Sequence, residues 1–361
     1  MSAPRYVPCL RWKQGEYQAV SLLTEEAKEA ILPLIEVPEM GFDFETREES
    51  KTIDQHLAKI DERVVRHWGI GPCMLDLSLL NSKDRMANGD HPLTHIFDRL
   101  RAVRAQPIPV VSASSDSKFL SATRKIVAED KRGAGLRVSI EEAAVPSLRS
   151  RTASVLGEID VEPGLCDLVL DLGAPSFEPL DDFAGLVETL IGNLPHLRRW
   201  RSLALLGTSF PSSLAGVPTG LTMLPRNEWR LFRLLLNRPY VHQARVPDFG
   251  DYGISHPGVP KGDMRLLKPA AAVRYTVNDG WLVAKGTNLR VAGAFQQFFA
   301  LSAQIVRSRH YSGPAFSAGD RRIKECASGK GGTGNLTTWR FVGTNHHLEK
   351  VVRDLATQPG T

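Results

Sequence analysis

Two adjacent histidines, His346 and His347, stand behind Gly343-Thr344-Asn345 near the C-terminus. A strand would send the two rings to opposite faces, and a helix would set them about 100° apart, so packing accounts for at most one of them. The other is expected to meet solvent, a ligand or a phosphate. Imidazole exchanges a proton near neutral pH, which makes His346 a candidate general base and His347 a candidate substrate-binding group. Their spacing is not His-Glu-x-x-His, which excludes a helical zinc-protease pair. A basic, glycine-rich stretch precedes them. Its run Ser328 to Gly334 lacks the Gly-x-x-x-x-Gly-Lys-Ser/Thr spacing of a phosphate loop and reads as a mobile loop, in which Lys330 could close over an anion.

The second set of chemistry-bearing residues is acidic. Glu36, Asp76 and Asp171 each end a short apolar run, and Glu141 and Asp248 follow two others. Carboxylates gathered at one place can hold a divalent cation such as Mg or Mn through hard oxygen ligands, or divide into an acid and a base. The bland alternative is that they cap helices or pair with basic residues, with Lys13 as a counter-ion for Glu36 or Asp76. Lys13, Glu36, Asp76, Asp171 and His346 are the candidate catalytic residues, with Glu36, Asp76 and Asp171 as the metal set. Glu16, Ser112, Glu141, Asp248, Arg274, Asp320, Lys330, Trp339, Asn345 and His347 are the candidate substrate contacts.

These residues need a scaffold that brings strand ends together. Short apolar runs alternate with amphipathic segments through the first 250 residues or so. Strands are expected at Tyr6 to Trp12, Leu32 to Val37, Cys73 to Leu77, Ile108 to Ser112, Leu136 to Ile140, Leu168 to Leu172, Ser202 to Leu206 and Tyr240 to Ala244. Such a series, at a spacing of roughly 30 to 40 residues, matches a (β/α)8 barrel of the TIM type, whose chemistry sits where strands run into their following loops. An open doubly wound sheet competes, but no Gly-x-Gly-x-x-Gly follows the first strand. This reading makes residues 1–267 a barrel and 268–361 a C-terminal extension packed on it. Val277-Asn278-Asp279-Gly280 between two β-type runs signals a hairpin. A helix is expected from Ala292 to Arg307, as a displaced eighth barrel helix or, less simply, a Phe-rich oligomer surface.

Composition bounds the rest. With 42% hydrophobic and 24% charged residues the chain is of the soluble globular class. It has no apolar run near the ~20 residues of a membrane span, and Met1 to Cys9 holds no apolar signal segment, so a cytoplasmic protein with no membrane partner is expected. The four cysteines are far apart and form no Cys-x-x-Cys pair, which favours buried thiols over a zinc site. A net charge of +5 permits phosphate-rich partners without requiring them. The excess is local: Arg307, Arg309, Arg321, Arg322, Lys324 and Lys330 face only Asp320 and Glu325 within that stretch.

The opening Tyr6-Val7-Pro8-Cys9-Leu10-Arg11-Trp12-Lys13-Gln14-Gly15-Glu16-Tyr17, with Pro33 to Val37, resembles the start of the bacterial and phage "beta protein" family. The end, Ser317 to Asp320 and Trp339 through Gly343 to His347, looks like that family's C-terminal signature. The resemblance covers essentially the whole chain. It implies a shared fold, shared positions at Lys13, Gly15, Glu16, Glu36, Asp320, Trp339, Asn345 and His346, and a setting in phage–host conflict. The expected function is hydrolysis of a phosphodiester or nucleotide at the barrel mouth. The alternative is a non-catalytic module that recognises a phage protein, a neighbouring gene's product or nucleic acid.

Overall fold

The computed structural model describes residues 6–43, 48–258 and 268–358. The reading of Met1 to Arg5 and residue 267, where the barrel was expected to end, lie outside these. Eight parallel strands close into a barrel: Tyr6–Arg11, Leu34–Glu36, Pro72–Asp76, Gln106–Ser112, Ala134–Ser139, Cys166–Asp171, Ser202–Gly207 and Asp248–Asp251. Closure comes from the first strand, whose Tyr6 to Pro8 pair with Phe249 to Asp251 and whose Cys9 to Arg11 pair with Leu34 to Glu36. The fold is the expected (β/α)8 barrel.

The eighth strand is not where the β-type run placed it. Tyr240 to Ala244 belongs to a helix, Pro239–Ala244, which Pro239 starts by fixing its own φ and needing no amide bond. The strand is the unpromising Asp248-Phe249-Gly250-Asp251. Gly250 is required there, because a Cβ would lie 3.0 Å from the Val7 carbonyl oxygen and 3.3 Å from that of Leu205. The close approach that closes the barrel removes the side chain that would have advertised a strand. His242 therefore sits on an exposed helix, and Asp248 begins the eighth strand instead of following it.

Inside the barrel, alternate residues point inward. Val7, Cys9, Leu34, Met74, Ile108, Val110, Val169, Ala204 and Leu206 fill the lumen as one apolar plug. Continuing the same alternation toward the strands' C-terminal ends brings Arg11, Glu36, Asp76, Arg137 and Asp171 into the next layer. Outside, helices cover the barrel. The first, Gln14–Ser21, was not expected from the sequence. It packs beside the longest, Leu336–Ala356, whose Leu348, Val351 and Leu355 share a core with Tyr6, Leu10, Val20 and Phe249. That long helix fills the eighth barrel position.

The helix expected from Ala292 runs from Gln297 to Arg307 and does not take that place. Its Phe298, Leu301 and Ile305 cover a small sheet instead, against Ala271, Val273 and Tyr275. The predicted hairpin is present as Ala270–Thr276 and Gly280–Asn288. A third strand, Gly220–Pro225, leaves the loop after the seventh barrel strand and pairs antiparallel with Gly280 to Lys285. The apolar face of this sheet needs cover, and the Phe-bearing helix supplies it.

All four cysteines are free and buried. Among the described residues no helix is long and apolar enough to cross a membrane.

Candidate functional site at the barrel mouth

The floor of the mouth is an ion-pair network centred on Arg137, from the fifth strand. Its Nη1 donates to Glu36 at 2.8 Å and to Asp76 at 2.7 Å. Its Nε reaches Asp171 at 2.9 Å, and Nη2 reaches Asp171 and the Tyr252 hydroxyl, each at 2.8 Å. Tyr252 in turn donates to Asp171 at 2.7 Å. Arg11 adds a second cation 3.6 Å from Glu36 and ties the loop after the eighth strand through the carbonyls of Pro257 and Gly258. Glu36, Asp76 and Asp171 thus converge as their strand-end positions implied, but on a guanidinium. A divalent cation would have to displace it. Among the described residues, no three His, Cys, Asp or Glu side chains are grouped so as to hold a metal ion. The expected Mg or Mn site does not fit this donor set.

The rim has the opposite character. Arg340, one turn into the long helix, donates to the Ile254 carbonyl at 3.1 Å and to the Ser255 hydroxyl at 2.9 Å. The same hydroxyl donates to Glu16 at 3.2 Å. Glu16 stands in the first turn of the helix after strand one, is 6% exposed, and leaves its second carboxyl oxygen without a hydrogen-bond partner. Burial pushes its pKa up to about 7, against the pull of Arg340, Ser255 and Lys13, and Glu36 adds to the rise. Next to Arg340 lies Arg274, whose backbone packs against Gly343; a Cβ there would sit 3.1 Å from the Arg274 carbonyl oxygen. The Arg274 guanidinium rests over the Phe210 ring, 5.7 Å from its centroid. Its Nε is buried with no partner, and among the described residues it forms no ion pair. Burial and then Arg340 lower its pKa to about 9, so it is a cation at neutral pH. Phe210 also lines a cavity of about 280 Å³ with Thr208, Ser209, Phe177 and His256, from the loops after strands six to eight, and with Asn227 at the start of the helix Asn227–Leu236.

The two histidines lie behind the barrel, between it and the small sheet. Both are fully buried, contrary to the expectation that one would reach a ligand. Gly343-Thr344-Asn345 is helix interior, not a turn. Gly343 lets the helix approach the sheet closely enough to shut both rings in, despite the ~1 kcal/mol that glycine costs inside a helix. His346 Nδ1 meets Asp320 at 2.8 Å and its Nε2 the Thr276 carbonyl at 2.8 Å, with its ring stacked on Tyr275. Asp320 also accepts from Ser317 at 2.6 Å and Tyr275 at 2.7 Å. Burial works against the carboxylate, but these bonds hold its pKa below the ordinary value. His347 Nε2 meets Asp251 at 2.9 Å and its Nδ1 the Thr276 hydroxyl at 2.8 Å. Burial lowers its pKa, and the neutral ring fits these partners by donating from Nε2 and accepting at Nδ1. Asp251 accepts from Tyr6 at 2.6 Å and from the Gly253 amide at 2.9 Å, and Arg226 stands 3.9 Å away between Trp229 and Trp281.

The model of the Beta protein family matches residues 6–353. The chain belongs to the Beta protein family. No curated protein matches it. The match takes in the barrel strands, the mouth and the long C-terminal helix alike.

The remaining predicted residues divide by position. Lys13 is exposed and pairs with Glu39 at 2.9 Å, not with Glu36 or Asp76. Ser112 bonds Ser114 and Ser115 at the mouth, and Glu141 is exposed in the short helix Ile140–Ala143 after strand five. Trp339 stacks on Phe298 at 4.5 Å, and its indole N–H donates to Thr333. Asn345 ties two helix ends together, accepting from the Gly319 amide and donating to the Ala19 carbonyl. Lys330 is exposed in its loop. Sequence reasoning missed Arg137, Arg340, Asp251, Tyr252, Phe210 and His256. Arg137 did carry a signal: a charge within the apolar run Leu136-Arg137-Val138 of a strand buried on both sides.

Glu16 gives a stability prediction with a defined sign. Its folded pKa is raised, so its protonated form is favoured in the fold. That stability is present below about pH 4.5 and lost as pH rises to about 7. Glu16→Gln should therefore melt close to wild type in mild acid and exceed it by about 2–3 kcal/mol near pH 8. Thermal melts across pH check this; a variant less stable than wild type at alkaline pH would contradict it.

Proposed function

We propose that the mouth binds a phosphate-containing small molecule and that the barrel hydrolyses its ester, in the phage–host setting that the family resemblance implies. The observation that carries this reading is Arg274. A half-buried guanidinium with no carboxylate partner, set beside a second arginine, bears a desolvation cost that a ligand oxyanion would offset. Phosphate is the ligand that two neighbouring forks of N–H donors suit best. The cavity beside Phe210, walled by hydroxyls and aromatic rings, has room for the organic part of such an ester.

Titration calorimetry with inorganic phosphate and with nucleoside monophosphates tests the reading. Charge-assisted hydrogen bonds contribute about 1.5–3 kcal/mol, so Arg274→Met should weaken binding roughly 10- to 100-fold without lowering the melting temperature. Equal affinity in wild type and variant would remove the basis of the proposal. Binding only of oligonucleotides, kept by Arg274→Met and abolished by salt, would move the function to a nucleic-acid surface.

A further inference from the structure

We propose that Glu16 is the general base of this site, taking the proton of the water that attacks a phosphate ester held by Arg274 and Arg340; this rests on the reading of the mouth as a phosphate site. Proton transfer needs a group that is near the bound oxyanion, has a free lone pair, and is not already committed. The acids of the floor and the two paired histidines fail one of these conditions. Glu36, Asp76 and Asp171 accept from Arg137, and His346 and His347 are sealed behind the barrel. Glu16 is placed otherwise. One hydroxyl, that of Ser255, separates it from the Arg340 guanidinium: Arg340 donates to Ser255, and Ser255 donates to one Glu16 oxygen. The other oxygen is buried and unpartnered. Around it stand Arg340 from the long helix, Ser255 from the loop after strand eight, Glu36 from the second strand and Lys13 from the start of its own helix. The resulting pKa of about 7 suits a base at neutral pH, since it is strong enough to take a proton and still substantially ionised.

The step balances without a further reactant. The water oxygen forms a bond to phosphorus as one of its protons passes to the free Glu16 oxygen. The bond from phosphorus to the ester oxygen breaks, and that oxygen leaves with the bonding pair. It takes up the proton from Glu16, which restores the carboxylate. The products are an alcohol with inorganic phosphate from a monoester, or with a phosphomonoester from a diester.

The test uses the full chain as wild type, Glu16→Gln, Glu16→Asp and Arg274→Met. Inorganic phosphate is the binding probe, and p-nitrophenyl phosphate and bis(p-nitrophenyl) phosphate are the substrates. Phosphate affinity, and its loss in Arg274→Met, reports on the anion site alone. Turnover and its pH profile report on Glu16. The expected result is phosphate binding in Glu16→Gln within a few-fold of wild type, with kcat down by roughly 10²- to 10⁴-fold. The acid limb of the pH profile, near 7 in wild type, should vanish in Glu16→Gln, and Glu16→Asp should regain part of the rate with a displaced limb. Turnover in Glu16→Gln within tenfold of wild type, or an unchanged acid limb, overturns the assignment. So does a wild type that binds phosphate and hydrolyses neither ester, an outcome that leaves the anion site standing.

Discussion

Replacing Arg137 by Met is expected to lower the unfolding free energy by about 3–5 kcal/mol, the usual cost of leaving a buried charge without its partner. Three carboxylates meet this one guanidinium: Glu36 at 5% side-chain exposure, Asp76 at 2% and Asp171 at 12%. Methionine approximates the length of the arginine stem, so the loss would report on charge and hydrogen bonds more than on a cavity. Arg11 lies 3.6 Å from Glu36 alone and cannot serve the other two. Chemical denaturation of wild type and variant checks this. A loss below about 1 kcal/mol, in the range of an exposed ion pair, would show that the network is hydrated and open to ligands.

Asp251→Ala should be comparably damaging, at about 3–5 kcal/mol, because a single carboxylate serves groups from four parts of the chain. Tyr6 comes from the first strand, Gly253 from the loop after the eighth, His347 from the long helix and Arg226 from the N-cap of the helix Asn227–Leu236. All are buried, so each would be left facing protein instead of water. The pH dependence has a definite sign. Burial holds the folded pKa of His347 below the ordinary 6.5, so its contribution is present above that value and lost as pH falls below it. Asp251 opposes the burial effect, so without it the folded pKa falls further and the loss in acid deepens. Melts between about pH 5 and 8 measure this; a variant with the same acid slope as wild type would contradict the His347–Asp251 coupling.

These two carboxylates show how unevenly the site was legible. Asp76 is read easily: it ends an apolar, β-rich run, and the barrel rule places it at the mouth. Asp251 was not read at all, because Gly250 hides its strand, and the β-type residues Tyr240 and Val241 lie in a helix instead. The rim was half legible. Glu16 and Arg274 are visible as charged residues near element ends, but nothing local distinguishes an arginine that finds a carboxylate from one that does not.

The alternation of apolar runs and amphipathic segments was enough to specify the barrel, seven of its eight strands, the hairpin and the burial of the cysteines. Each of these depends on which face of a local element is apolar, and the period of the sequence carries that information. The partners of the charged residues were settled only when the barrel closed and the C-terminal helix lay across it. Arg137 meets Glu36 across 101 residues of chain, and His347 meets Asp251 across 96. The burial of His346 and His347 likewise depends on how closely Gly343 lets one helix approach a distant sheet. Pairings of this kind depend on strand order, closure and interhelical distance, and a linear pattern of residue types does not encode them.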